Sequence, residues 1–288
     1  MAERRSVLVP ALAVVTAAMV VVLILVGGLV TTTRTGDTIP TWPFWRGTLS
    51  GGAWVEWSHR AVAGVVALLV LALAVLLHRF EPRASVRRLG WLALAGVVVQ
   101  ALIGAVRIYL PAAAVAVVHA VFAQAVFCLL VALAWRPAEG AADARGLGIA
   151  ATAAAFLQLV AGAVTRHTGS GLEVHVAGAV VVLLLASLFA SRLVLTPLRR
   201  GAFVLLGLLG FQMALGIATW MITRSAFDRS VDAPVVSLAV VSLHVAAGAG
   251  ILATCLVLAL GCRRRSTAAE PVLALRSGAL ATRGGGPA

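Results

Sequence analysis

The chain alternates long apolar runs with short clusters of arginine, proline and glycine, and this spacing limits its fold more than any single residue does. The runs cover roughly residues 7–30, 54–77, 88–109, 113–135, 146–165, 172–195, 200–223 and 235–261. Each holds about 20 residues, enough for a helix rising about 1.5 Å per residue to cross a hydrocarbon layer of about 30 Å. In lipid every backbone N–H and C=O must find its partner within the chain, so eight such runs predict an all-α, polytopic membrane protein with eight transmembrane helices. Apolar residues make up 61% of the 288 and charged residues 11%, which leaves too little polar surface for a water-soluble domain. The first run follows "MAERRS" like the start of a secretory signal, but it is long enough to span the bilayer and is read as helix one.

A net charge of +13 would suit a nucleic-acid binder if a soluble surface carried it. Here the arginines sit between apolar runs, so they read as topology signals: the partner is the lipid bilayer, and no nucleic acid is expected. An even number of spans puts both termini on one side. Assigning that side to the cytoplasm gives it Arg4, Arg5, Arg79, Arg83, Arg87, Arg88, Arg136, Arg145, Arg192, Arg199, Arg200, Arg263, Arg264, Arg265, Arg276 and Arg283. These are 16 of the 23 basic residues, the bias that the positive-inside rule favours for a multi-pass cell-membrane protein with cytoplasmic N- and C-termini. Cys128, Cys255 and Cys262 lie within or at the edge of apolar runs, so no structural disulfide is expected. Residues 263–288, ending "RGGGPA", read as a disordered cytoplasmic tail with no assigned role.

The chain also repeats itself. "VGGLVTTTRTG" at the end of helix one resembles "VAGAVTRHTGSG" at the end of helix five, and "QALIGAVRIYL" in helix three resembles "QMALGIATWMI" in helix seven. A histidine then opens the next helix in both "VVHAVFAQA" and "SLHVAAGAG". Two pseudo-symmetric four-helix bundles are therefore expected, residues 1–135 and 136–262, related by an axis along the membrane normal. Their main asymmetry is the outside loop 31–53, against a loop of a few residues after helix five.

Four of the six histidines, His59, His119, His175 and His244, fall within the first ten or so residues of even-numbered helices, so all four lie in the outer half of the membrane. A charged group at mid-membrane costs roughly 2.5–3.5 kcal/mol, and even a neutral imidazole needs a partner there. A bond to a neighbouring helix would account for one such residue; four at matching places in a repeat point to ligands. A structural zinc would want three or four ligands around one point, with thiolate or carboxylate help that these pairs do not offer. Haem iron wants two axial ligands across a flat apolar macrocycle, which two histidines on facing helices supply. Gly64, Gly178 and Gly248 follow His59, His175 and His244 by about one turn, where a missing side chain would let a porphyrin edge approach. Arg60, Arg107 and Arg166, at outer helix ends, are candidates to pair with haem propionates, set against ordinary interfacial anchoring. Glu56 precedes His59 by three residues and projects from the same helix face, as a proton shuttle or a stabiliser of a cationic intermediate. Glu173, two residues before His175, points to another face, and His78 and His167 read as solvated.

These residues carry a family resemblance. "GGLVTTTRTG", the "WP" of "TWPFWRG", "EWSHR" and "VVHAVFAQ" resemble the first half of heme A synthases, and "AGAVTRHTGSGL", "HVAGAV", "QMALGIATW" and "LHVAAGAG" resemble the second. The resemblance spans nearly all of residues 20–262. It implies an enzyme that oxidises one methyl group of heme O to formyl, yielding heme A for terminal oxidases. It implies heme b held by His175 and His244, substrate heme O docked at His59 and His119, Glu56 as the required carboxylate, and a heme O synthase as partner. The chain departs from many such proteins in lacking a cysteine pair around the tryptophan-proline, with Thr41 before Trp42 and Trp45 after Phe44, and in lacking an arginine after His175. Two other classes stay open: a diheme electron-transfer cytochrome, and a transporter or assembly factor without oxidation activity.

Overall fold

The computed structural model describes residues 2–43, 47–135, 142–225 and 233–262, with side chains from residue 8 onward. Phe44, Trp45, Arg136 and the tail from Arg263 lie outside the described residues. Among those described, the regular structure is eight helices: α1 Ala2–Thr32, α2 Gly52–Phe80, α3 Ala84–Tyr109, α4 Ala113–Ala134, α5 Arg145–Thr168, α6 Leu172–Ser191, α7 Arg199–Arg224 and α8 Val235–Gly261. All eight are long and apolar enough to cross a membrane. Large apolar side chains such as Leu68, Leu102, Leu157 and Leu184 point outward, as a lipid solvent requires. Trp54, Trp57, Tyr109 and Trp220 ring the histidine-bearing end at helix termini, while Trp91 is exposed near the other, the places where amphipathic rings settle at a membrane interface.

Helix ends differ from the sequence reading by up to five residues, and two of these differences change what lies there. Helix α6 stops at Ser191, and Arg192–Leu198 form a turn stitched by Leu193 N–H to the Ala190 carbonyl and Thr196 N–H to the Leu193 carbonyl. Apolarity alone extended that span to 195 because "LVL" is as greasy as the helix before it. Helix α5 runs on to Thr168, so His167 belongs to its last turn and not to a loop.

The helices close into two rings. α1 packs on α2 and α4, and α3 packs on the same two; α5, α6, α7 and α8 repeat this pattern. Between the rings α1 meets α8, α4 meets α5 and α4 meets α8. Exchanging the halves turns the first of these contacts into the second and leaves the third unchanged, as a two-fold axis between them would.

Each ring has its own core: Val66, Val70, Leu73, Phe127 and Leu130 in the first, Ala186, Phe189, Leu205, Leu252 and Cys255 in the second. Lipid gives no hydrophobic drive for helix pairing, so close approach over small residues must supply the attraction. A Cβ on Gly148 would stand 2.7 Å from Phe189 Cζ and 2.8 Å from Ala259 Cβ, so only glycine lets α5 lie this close to α6 and α8. These apolar residues belong to the middle and C-terminal parts of the even helices, with Leu205 in the N-terminal part of α7, whereas the four histidines lie near even-helix N-termini, at the other bundle end. The polar chemistry is thus segregated from the packed cores.

The two connections at the histidine end are built differently. α5 closes on Gly169 in the left-handed region (φ 74°), whose N–H bonds the Thr165 carbonyl, and Gly171 (φ 81°) starts α6 within three residues. α1 instead frays through Thr31, Thr32 and Thr33, whose hydroxyls return to the carbonyls of Gly27, Gly28 and Leu29. Arg34 then takes φ 57°, and the chain leaves on its long excursion to α2.

Candidate functional site

Each half-buried histidine leans on a glycine of the preceding helix. A Cβ built on Gly27, Gly104, Gly162 or Gly216 would stand 3.1, 3.2, 3.0 or 3.2 Å from Cε1 of His59, His119, His175 or His244. In all four cases Nδ1 is next nearest, at 3.3–3.7 Å, and Nε2 lies at 3.9 Å or beyond. The Nδ1 edge of every ring therefore faces the neighbouring backbone and Nε2 is turned away from it. In metal-bound imidazoles one nitrogen is commonly held by the protein and the other left for the metal, and here His119 and His175 have a glutamine amide at Nδ1.

The glycines that back the rings are not the ones that follow the histidines on their own helices. Nothing stands within 4 Å of a Cβ on Gly64; one on Gly178 would meet the Gln158 amide, and one on Gly248 would meet Leu159 and Gln212. The backing glycines sit on the odd helices, in "VGGLV", "IGAVR", "AGAVT" and "LGIAT". The repeat contained that signal, but which helix a histidine leans against is a matter of tertiary pairing.

Sequence reasoning also gave no role to three glutamines. Gln158 Nε2 donates to the His175 carbonyl at 2.8 Å and lies 3.0 Å from its Nδ1. Gln100 Nε2 donates to the His119 carbonyl at 3.1 Å and sits 3.2 Å from both ring nitrogens. Gln212 has its amide 3.4 Å from a Cβ built on Gly248, one turn beyond His244. The Oε1 atoms of all three, with Nδ1 of His59 and of His244, are buried without a hydrogen-bond partner.

His175 and His244 face one another, with ring centroids 6.3 Å apart and planes at 81°. Two metal–imidazole bonds of about 2 Å each, plus about 1.1 Å from nitrogen to ring centre on either side, sum to roughly the same distance. The spacing, the Nε2 atoms turned away from the backing glycines and the orphaned His244 Nδ1 fit a pair of rings that would hold one metal between them, as in a haem site. His59 and His119 are near enough to interact electrostatically and share Arg107 as a neighbouring charge. Among the described residues no three His, Cys, Asp or Glu side chains gather at one point, so the ligands come in pairs. A surface cavity lined by Val194, Thr196, Pro197, Arg199 and Arg200 lies at the α6–α7 turn, away from every one of these residues.

Glu56 is 3% exposed, and both its oxygens are engaged. Oε2 accepts from the Thr38 hydroxyl at 2.9 Å and the Ile39 N–H at 2.8 Å, while Oε1 pairs with Arg60 at 2.5 Å. Arg60 donates onward to the carbonyls of Ile39 and Thr41. Ile39 is fully buried, so the pair pins the long loop down onto α2. The Glu56–His59 spacing was legible in the sequence; that the carboxylate holds the loop was not, because its partners are 17 and 18 residues away.

The three candidate arginines separate. Arg60 is committed to Glu56 and the loop. Arg166 crosses between halves, donating to the Gly28 carbonyl at 2.7 Å and to the Thr32 hydroxyl at 2.5 Å. Arg107 is half-buried beneath the loop, 3.3 Å from a Cβ built on Gly36, with Asp37 and Glu56 as its charged neighbours. His167 is half-buried too, in the last turn of α5 and near enough to Arg107, Arg166 and His119 to interact electrostatically, so it is not a solvated loop residue. His78 is exposed and accepts from the Trp91 indole at 3.4 Å, and Glu173 is exposed in the first turn of α6, where the helix dipole favours a carboxylate.

Comparison with known proteins matches residues 48–177 to the COX15-CtaA family, described as cytochrome oxidase assembly protein. The chain is 40% identical over 100 residues to "Heme A synthase" of Exiguobacterium sibiricum, covering 32% of this chain and 33% of that one. It is 39% identical over 98 residues to "Heme A synthase" of an Exiguobacterium sp., covering 32% of each. The chain thus spans about a third of the length of the curated relatives it matches.

Proposed function

We propose that this chain, which resembles the COX15-CtaA family over residues 48–177 and two heme A synthases over about a third of its length, is a haem-dependent oxidoreductase converting heme O to heme A. The reaction oxidises one porphyrin methyl group to formyl by successive hydroxylations, with oxygen drawn from solvent and the electrons and protons passed to an external electron acceptor. The 6.3 Å opposition of His175 and His244 is the observation that carries the haem reading.

In this reading residues 136–262 form the cofactor half, with heme b held by His175 and His244, and residues 1–135 form the substrate half. Heme b supplies a site that takes up and passes on electrons. His59 and His119 dock heme O from opposite sides, backed by Gly27 and Gly104. Arg107 meets a substrate carboxylate under the loop, the geometry in which a guanidinium serves best. Glu56 is a positioning residue: it holds residues 38–41 over the site through Thr38, Ile39 and Arg60, and so limits solvent access while the methyl group is oxidised. The protein sits in the cell membrane with cytoplasmic termini and receives heme O from a synthase partner.

One observation favours a second reading: the four glycine-backed rings are alike in both halves, as a diheme electron-transfer cytochrome would have them. The purified protein, coexpressed with a source of heme O, decides between them by pigment extraction and mass spectrometry. Heme A or its hydroxymethyl precursor supports the synthase. Two stably bound b haems and no oxidised product support the cytochrome, and a colourless folded protein overturns both.

A further inference from the structure

The glycine cradles are four, but the glutamines behind them are three. Gln100, Gln158 and Gln212 each stand four residues before the backing glycine, at Gly104, Gly162 and Gly216. On α1 the position four residues before Gly27 is Leu23, a partly buried apolar residue packed against the first core. A four-residue offset is one helical turn on the same face, so each glutamine presents its amide one turn deeper than the ring it supports. Two of the amides hold their histidine by carbonyl and ring together. No such group can stand at Leu23; Nδ1 is buried without a partner in His59 and in His244 alike, so the missing amide, and not the orphaned nitrogen, sets His59 apart.

We propose that these glutamines lock axial histidines in place and that Leu23, by withholding one, makes His59 the releasable ligand of the four. The inference rests on the haem reading above and deepens it. A resident cofactor needs two fixed ligands, and His175 and His244 both have a glutamine at the matching place. A haem that must enter, react and leave needs one ligand that gives way, and the pair with a single glutamine is His59 and His119. Groups that orient a metal-bound imidazole act through ring orientation and ligand basicity, and their loss typically weakens metal binding roughly 10- to 100-fold. The same range is expected here between the two halves.

The test uses the full chain, purified in detergent and loaded with haem b, with apomyoglobin in excess as haem scavenger. Loss of the Soret band from the membrane protein should be biphasic, with one haem leaving roughly tenfold or more faster than the other. Leu23→Gln should slow the fast phase towards the slow one and sharpen its low-spin electron paramagnetic resonance signal. Gln158→Leu should accelerate the slow phase and leave the fast one alone, which keeps the test decisive if Leu23→Gln folds poorly. Biphasic loss unmoved by either folded variant, or a single shared rate, overturns the role of the glutamines while leaving haem binding intact. A chain that takes up no haem at either pair overturns the haem reading and this inference with it.

Discussion

Arg166, in the last turn of α5, donates a hydrogen bond of 2.7 Å to the carbonyl of Gly28 on α1 and another to the Thr32 hydroxyl, tying the two halves at the histidine end. The glycine makes this possible twice over, since it also brings α1 against Ser242 of α8, 3.3 Å from a Cβ built on Gly28. Hydrogen bonds from a charged donor contribute about 1.5–3 kcal/mol. Arg166→Ala should lower the thermal midpoint of the purified protein by several degrees, with or without haem. A variant that melts like the parent and loses only haem would assign Arg166 to a propionate instead.

The Glu56–Arg60 pair predicts a coupled phenotype. Removing one partner of a buried pair leaves the other uncompensated, and with Arg60 18% exposed the cost should be about 2–3 kcal/mol. Most of it should appear locally, as faster limited proteolysis between residues 31 and 51. Glu56→Ala should also abolish oxidised haem product in extracts while haem at His175 and His244 persists. Retained product with an opened loop would remove Glu56 from the mechanism.

Backing glycines and lipid-facing glycines should respond oppositely to alanine. At Gly162 the added methyl meets Cε1 of His175 at 3.0 Å, so the ring must move and Gly162→Ala should cut haem retention at least several-fold in an extraction assay. Nothing stands within 4 Å of a Cβ on Gly207, and there alanine should stabilise the helix by up to about 1 kcal/mol through propensity alone. Equal behaviour of the two variants would mean that the rings are not seated on the glycines.

Arg107 lies under the loop without a salt bridge to Asp37 or Glu56. Arg107→Leu should leave the thermal midpoint nearly unchanged and weaken haem uptake by the first half roughly tenfold or more, the value of a charge-assisted bond. Haem dimethyl ester, which lacks ionised carboxylates, should bind parent and variant alike. Discrimination between them by the ester would show that Arg107 acts through the fold.

Much of the architecture was legible in one dimension because lipid forces it. Apolar runs of bilayer length must be helices, and seven of the eight expected spans end within four residues of the observed helices at both ends, α1 alone starting five residues early. The repeat and the four histidines were legible for a related reason: a polar residue in an apolar run stands out, and repetition multiplies the signal. What the sequence could not yield were contacts between helices. Gly27 and His59 are 32 positions apart, Arg166 and Gly28 are 138, and nothing local marks either pair.

The sequence by itself thus determined eight helices, two related halves and the histidine-bearing end, since each follows from hydropathy, length and repetition along the chain. Tertiary structure alone decided which glycine backs which ring, which arginine is committed to the fold, that Glu56 holds the loop, and that His167 is half-buried near His119. Those outcomes depend on how side chains of different helices interlock, and in lipid, where burial is nearly indifferent between one helix face and another, only close packing and hydrogen bonding make the choice.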